Sequence, residues 1–224
     1  LRNLSQVLLE SPGTLRLDDS AGPSVGGNRL STATPIFLRG TLALTGNNTA
    51  VSTESVGPLT IEGQSFITVT PGTAGAVLTI PTITRANRAI LNVRGEGLGG
   101  SGATQSRIYV STPPELVGGG GTGVETSIIP WAVGYNTQNG STATFVTYSA
   151  TTGLPPLDGA EMPFTNFSSP VSPTGNYRVG TAVTINSPVQ VNALALTGGQ
   201  LSGIGTIRLG SGSLLDPVGT TVLN

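Results

Sequence analysis

The sequence predicts an all-β chain wound as a parallel β-helix (a β-solenoid) with a loop-rich insertion, and three observations carry that expectation. Gly, Pro or Asn interrupts the chain too often for helices of ordinary length. The spaces between are filled by short runs in which an aliphatic residue alternates with Thr, Ser, Arg or Asn, the pattern of strands with one buried and one wetted face. Short strand-turn units also recur: Leu42-Ala43-Leu44-Thr45-Gly46 returns as Leu194-Ala195-Leu196-Thr197-Gly198, and Gly13-Thr14-Leu15-Arg16-Leu17 as Gly205-Thr206-Ile207-Arg208-Leu209. Alternation alone suits a sandwich, a barrel or a solenoid; repetition of small units with irregular spacing favours the solenoid.

Taken in order, the first ten residues are the exception, since Leu1, Leu4, Leu8 and Leu9 are spaced to share a helical face. Strands are expected at Thr14 to Leu17, Thr41 to Leu44, Leu59 to Ile61, Phe66 to Val69, Val77 to Ile80, Ile90 to Val93 and Arg107 to Val110. The same alternation returns at Thr144 to Tyr148, Val183 to Ile185 and Val191 to Leu196. Residues 1–110 and 176–224 are therefore read as β-helix coils, the second set continuing beyond the fragment. Residues 111–175 hold Gly118 to Gly121, Trp131, Met162, Phe145, Phe164 and Phe167 and many prolines, and read as a loop-rich insertion with one short hairpin near Phe145 to Tyr148. Stacked coils lie about 4.8 Å apart, which places aliphatic ladders inside and Thr or Asn ladders outside. At roughly 20 to 25 residues per coil the spacing falls within known repeat lengths.

Composition removes most catalytic chemistries. The chain has no His, no Cys and no Lys, all 10 basic residues being Arg. That excludes a Ser-His-Asp triad, a His general base, thiolate and His or Cys metal sites, disulfides, a Schiff base and the phosphate-binding lysine of a P-loop. Charged residues make up 9% and the net charge is -1, so nothing marks the chain as a ligand of nucleic acid. Low charge combined with ample Val, Ile, Leu and Ala argues for a packed core rather than disorder, and no apolar run is long enough for a membrane-spanning helix. The chain starts at Leu1, and its alternation stops in mid-pattern from Thr220 to Asn224, so it reads as an internal or processed piece of a longer polypeptide.

The run Leu42-Ala43-Leu44-Thr45-Gly46-Asn47, then Ser55-Val56-Gly57-Pro58-Leu59-Thr60-Ile61, Ile67-Thr68-Val69-Thr70-Pro71 and Leu91-Asn92-Val93-Arg94-Gly95-Glu96-Gly97-Leu98-Gly99 resembles bacterial surface proteins carrying autotransporter-associated beta strand repeats. The block Ile128-Ile129-Pro130-Trp131-Ala132-Val133-Gly134, then Phe145-Val146-Thr147-Tyr148 and Gly153-Leu154-Pro155-Pro156-Leu157, is similar to the segment that punctuates giant members of that family in planctomycete-like bacteria. The resemblance covers most of residues 41–215. It implies a right-handed β-helix in a long extracellular or cell-surface protein that acts in adhesion, fibre formation or cell contact, with no shared catalytic residues. The simplest repeat of the family is richer in Gly-Gly and Thr-Tyr pairs than this chain.

Few residues remain for chemistry. Asp18 and Asp19 could offer oxygens to calcium with Glu10 or Asn28, although adjacent acids in such a loop are commonly turn formers. Asp158 and Glu161 lie near Trp131, Tyr148 and Phe164 in the insertion, the arrangement closest to a glycan-binding or glycan-cleaving pair. Trp131, Tyr135, Tyr148 and Phe145 could form a stacking patch, or anchor the insertion on the solenoid. Arg85, Arg88 and Arg94 could grip an acidic glycan, or face solvent and pair with Glu62 and Glu96. The loop from Gly95 to Gly100 is rich in Gly, but neither a helix nor a lysine follows, which rejects a nucleotide site. Asn3, Asn47, Asn139 and Asn166 stand in Asn-x-Ser/Thr sequences, as often as chance provides.

The expectation is thus a non-catalytic structural or adhesive segment, without cofactor or metal. Its partners would be neighbouring segments of the same chain, identical chains or cell-surface glycans, with no nucleic acid and no membrane span. Glycan contact would fall to Trp131, Tyr148, Asp158 and Glu161. The alternatives are a glycan-binding or glycan-cleaving module and the shaft of a viral tail fibre, which would need a trimer.

Overall fold

The computed structural model describes residues 4–22, 29–137 and 143–217. The candidate calcium ligand Asn28, the acceptors Asn3 and Asn139, and both chain ends from which a longer polypeptide was inferred lie outside the described residues. The chain is all-β, with one 3-10 turn at Gly123–Glu125 as the sole helical element among the described residues. It divides into two compact units, Leu1–Glu115 with Trp131–Ala143 and Tyr148–Pro156, and Leu116–Pro130 with Thr144–Thr147 and Leu157–Asn224.

The first unit carries β1 (Val7–Leu9), β2 (Thr14–Asp18), β3 (Ile36–Leu38), β4 (Thr41–Thr45), β5 (Ser52–Ser55), β6 (Leu59–Ile61), β7 (Gln64–Thr70), β8 (Ala76–Arg85), β9 (Ile90–Gly95), β10 (Ser106–Thr112) and most of β11 (Ile129–Tyr135). The chain visits two sheets in turn. One runs β1-β3-β6-β8-β10, with β5 also paired to β8, and the other includes the order β11-β9-β7-β4-β2. Each ladder between these strands is parallel. Paired residues such as Thr14 and Thr41, or Thr41 and Phe66, are separated by about 25 residues, within the repeat lengths of stacked β architectures.

Parallel register turns the alternation of each strand into rows across the sheet. Leu15, Leu42, Ile67 and Val93 form one row, and Leu17, Leu44 and Val69 the next. In the other sheet Leu78 stands beside Ile108 and Ile80 beside Val110. From β4 to β10 these inward residues are almost wholly buried. The outward rows are mixed and include threonine pairs: Thr14 beside Thr41, and Thr45 beside Thr70. β-Branched residues suit this surface because their stiff side chains pack against the neighbour above and below. Where a strand must pass close to another backbone, glycine replaces the side chain; a Cβ on Gly57 would collide with the carbonyl oxygen of Thr34.

The second unit carries β13 (Asn176–Val179), β14 (Val183–Thr184), β15 (Val189–Leu196), β16 (Leu201–Ser202) and β17 (Ile207–Leu215), while β12 (Ala143–Val146) spans the two units in sequence. Its sheets are β13-β15-β17 and β14-β16, again parallel. Val183 pairs with Leu201 and Val189 with Ile207, a spacing of 18 residues in both cases and shorter than the 20 to 25 expected. Leu194 and Leu196 of β15 pack with Val179, Val183, Ile185 and Val191. Ala193 and Ala195 of the same strand pack against Ile128, Phe145, Leu157 and Met162. The small side chains leave room for Phe145, so this aromatic residue of the loop-rich stretch does anchor it to a sheet. Two buried asparagines complete the attachment: Asn192 Nδ2 donates to Asn176 Oδ1 at 2.8 Å and to Val117 O at 3.1 Å, and Asn176 Nδ2 donates to Thr126 O at 2.7 Å.

The helical spacing at the start of the chain is overridden. Val7, Leu8 and Leu9 form a strand, paired with Ile36, Phe37 and Leu38, because pairing at the sheet edge satisfies backbone groups that one isolated helical turn would leave to water. The loop-rich stretch supplies the antiparallel bridges Val117 to Ile128 and Ser149 to Gly153. Ile67 is fully buried in its row, so Ile67→Ala is expected to lower unfolding free energy by about 2–5 kcal/mol in denaturant titration. A loss below about 1 kcal/mol would contradict the buried row.

Candidate functional site

The residues singled out in the loop-rich stretch do not gather in one unit. Trp131 and Tyr148 belong to the first, Asp158 and Glu161 to the second. The Tyr148 hydroxyl donates to Val110 O at 2.8 Å. Asp158 Oδ1 accepts from the amides of Ala160 and Glu161, and Glu161 Oε2 accepts from the Asp158 amide at 3.0 Å while Oε1 accepts from Thr126 Oγ1 at 3.2 Å. This is the reciprocal arrangement of a capping box, and it spends both carboxylates on a turn.

The outer face of the sheet in the first unit presents Trp131, Val133 and Tyr135 on β11, Ile90, Asn92 and Arg94 on β9, and Phe66 on β7. Arg94 lies between two rings, its guanidinium carbon 4.7 Å from the Phe66 centroid and 4.9 Å from that of Tyr135. Its buried Nε has no hydrogen-bond partner, and the ring faces offset that loss. Arg88 is exposed as expected, but Glu62 pairs with Arg39 at 2.5 Å rather than with the arginines flanking Ile90. In the Gly-rich loop the amides of Gly97, Gly99 and Gly100 bond to Asn136, Ser106 and Gly97. The Arg107 guanidinium gathers the carbonyls of Gly100, Ser101 and Gly102, so this loop turns three oxygens toward a cation.

Asp18 and Asp19 are both engaged. Ser20 donates its amide to Asp18 Oδ1 at 2.9 Å, and Ser20 hydrogen bonds hold the Asp18 carboxyl below its usual range. Asp19 and Glu54 are buried, and Arg29 bridges them: one guanidinium nitrogen meets Asp19 Oδ1, and the other meets Glu54 Oε1 at 2.7 Å. Glu54 stands at an inward position of β5 that apolar patterning would not assign to a strand; the guanidinium makes it tenable. Among the described residues no group of three His, Cys, Asp or Glu could hold a metal, and no helix is long and apolar enough to cross a membrane.

A groove of about 700 Å³ lies beside Phe164 in the second unit, lined by Thr165, Asn166, Tyr177, Gly180, Thr181 and neighbouring residues. Phe164 is 64% exposed, and it is the one aromatic among the strongly exposed large apolar residues described. Its position is nevertheless fixed. The backbone pairs with β13 through Arg178 N to Pro163 O at 3.0 Å and Thr165 N to Arg178 O at 2.9 Å. The Arg178 guanidinium carbon lies 4.2 Å from the ring centroid, and a Cβ on Gly180 would stand 2.6 Å from a ring carbon. Sequence reasoning placed Phe164 near the candidate residues but missed Arg178 and Gly180, which come from a strand beyond the loop. No family model, curated protein or solved structure matches the chain.

Removing the Arg29 guanidinium would take the ion pairs from two buried carboxylates. Arg29→Met is expected to cost about 3–5 kcal/mol, read by denaturant unfolding at neutral pH, and a neutral outcome would mean that water already reaches the pair. Hydrogen bonds from Ser172 and Thr174 hold the Glu125 carboxyl below its ordinary value of 4.5. The stabilisation from Glu125 is therefore complete above that value and lost as pH falls through the lower, folded one. Carbon-detected NMR titration should give a Glu125 midpoint below the ordinary value, and a midpoint at or above it would break the assignment.

Proposed function

We propose that the chain is a stretch of right-handed parallel β-helix in a long extracellular bacterial surface or fibre protein, with a non-catalytic structural or adhesive role. The observation that carries the reading is the in-register parallel stacking of strands within each unit, with aliphatic rows inside. A scaffold of this kind transmits load through backbone hydrogen bonds along its axis and needs no ligand to be stable. The near absence of charge fits the same role, since like charges in adjacent rows repel. Carboxylate placement supports a non-catalytic reading: Glu10, Asp19, Glu54 and Glu62 pair with arginines, and Asp18, Glu125, Asp158 and Glu161 are taken up by hydrogen bonds. The resemblance to autotransporter-associated repeat proteins supports placement at the cell surface.

The partners of such a segment are further coils of the same chain or identical chains. Among the strands that end the described sheet orders are β1 and β2 in the first unit and β16 and β17 in the second, and such edges offer backbone groups to a continuing strand. The isolated chain is therefore expected to associate end to end as concentration rises, giving growing mass in light scattering and filaments with a ~4.8 Å axial repeat by electron microscopy. A chain that stays monomeric at the highest accessible concentration would overturn the assembly reading. Labelling of intact cells with a membrane-impermeant reagent tests the surface placement, and protection of the protein until lysis would overturn it.

A further inference from the structure

The geometry points to the Phe164 groove of the second unit as a binding site for a neutral oligosaccharide, with the Phe164 ring as its stacking platform. The argument starts from an exposed aromatic that is not free to move. An unanchored phenyl group in water would move freely over the nearest apolar surface; this one is seated against the bare backbone of Gly180 and stacked with the guanidinium of Arg178 while staying 64% exposed. Ring orientation is thus settled before any ligand arrives, which lowers the ordering cost of binding.

The loop that carries the ring is equally constrained. Thr165 Oγ1 accepts the Phe167 amide at 3.1 Å, and Asn166 Oδ1 accepts from Ser168 N at 3.0 Å and from Ser168 Oγ at 2.6 Å. Phe167 stands at φ 57, a left-handed conformation uncommon for a bulky residue. Such strained positions persist where the surroundings over-determine them, and they gather at binding sites.

Ligand class follows from the lining. The lining side chains are uncharged, although the Arg178 guanidinium stacks on the Phe164 ring; the polar groups are hydroxyls and one amide, and the apolar ones are Phe164, Pro170, Val171 and Tyr177. Asn166 Oδ1 is occupied, whereas its NH2 group and the hydroxyls of Ser169 and Thr181 make no hydrogen bond among the described residues. A neutral pyranose presents the complement: one apolar C–H face for the ring, and a rim of hydroxyls that both donate and accept. An apolar peptide would leave the rim of donors unpaired. A second depression of about 440 Å³ shares Ser169, Pro170 and Val171 with the first, which extends the surface to more than one sugar.

The test uses the full chain and neutral hexasaccharides of gluco, manno, galacto and N-acetylglucosamine type, followed by NMR shifts at Asn166 and Thr181 and by calorimetry. One of the series is expected to bind, with Phe164→Ala weakening affinity by about tenfold, the loss expected for one stacked aromatic contact. Gly180→Ala keeps the ring but drives it from its seat, so it should weaken binding as well, and unchanged melting temperatures would show that both variants fold. The proposal fails if no neutral hexasaccharide binds at millimolar concentration, if affinity survives both substitutions, or if a uronic-acid hexasaccharide or an apolar peptide is preferred. None of these outcomes depends on end-to-end association, so the site and the assembly stand or fall separately.

Discussion

In-register parallel pairing imposes the constraint on which everything else rests. Once Leu15, Leu42, Ile67 and Val93 share a row, each must be of similar size and polarity, because its neighbours in the ladder lie only about 4.8 Å away. Outside, where space is open, the rule relaxes: Thr14 faces Thr41 and Thr45 faces Thr70, but Thr41 also faces Phe66 and Arg16 faces Ala43. A charge placed in such a row would meet its like one strand away. This is a physical reason for a chain with 9% charged residues to remain well folded.

Exceptions to the rule are the informative positions. Glu54 lies at an inward site of β5, and Asp19 is buried in the same unit; each would be untenable alone. Arg29 reconciles them by reaching both carboxylates, while its backbone amide also donates to Glu54 Oε2 at 3.2 Å. In the second unit the amides of Asn176 and Asn192 serve a similar purpose, satisfying loop carbonyls that β13 and β15 would otherwise bury. Polar residues inside this chain thus mark the places where a loop is fastened to a sheet.

Strands whose faces alternate could be located from sequence: β2, β4, β6, β7 and β10 all coincide with alternating aliphatic-polar runs. β5 could not, because Ser52 and Glu54 occupy its buried face and their justification lies in Arg29, far away in sequence. β1 was obscured by the opposite problem, an apolar spacing compatible with a helix until its pairing with β3 is known. The groove was half legible. Phe164 stood out as one of few aromatics, but nothing local to it signals that Arg178 would cover its ring or that Gly180 would make way, since both belong to a strand that only parallel pairing brings alongside.

The absence of lysine has a structural counterpart. Arginine here repeatedly serves more than one partner at once: Arg29 two carboxylates, Arg39 Glu10 and Glu62, Arg94 two rings, and Arg107 three carbonyl oxygens. A planar fork with five donors and two stacking faces can do this, whereas an ammonium group is a strongly hydrated point charge that neither fits between two rings nor spans two fixed acceptors. Flat sheets with close-spaced rows offer slots rather than open solvent, and a guanidinium fits a slot edge-on for hydrogen bonding or face-on for stacking. Arg178 follows the same logic: its guanidinium stacks on Phe164, whose ring also lines the groove. The device that strengthens the sheet in the first unit is, in the second, the support of an open aromatic surface.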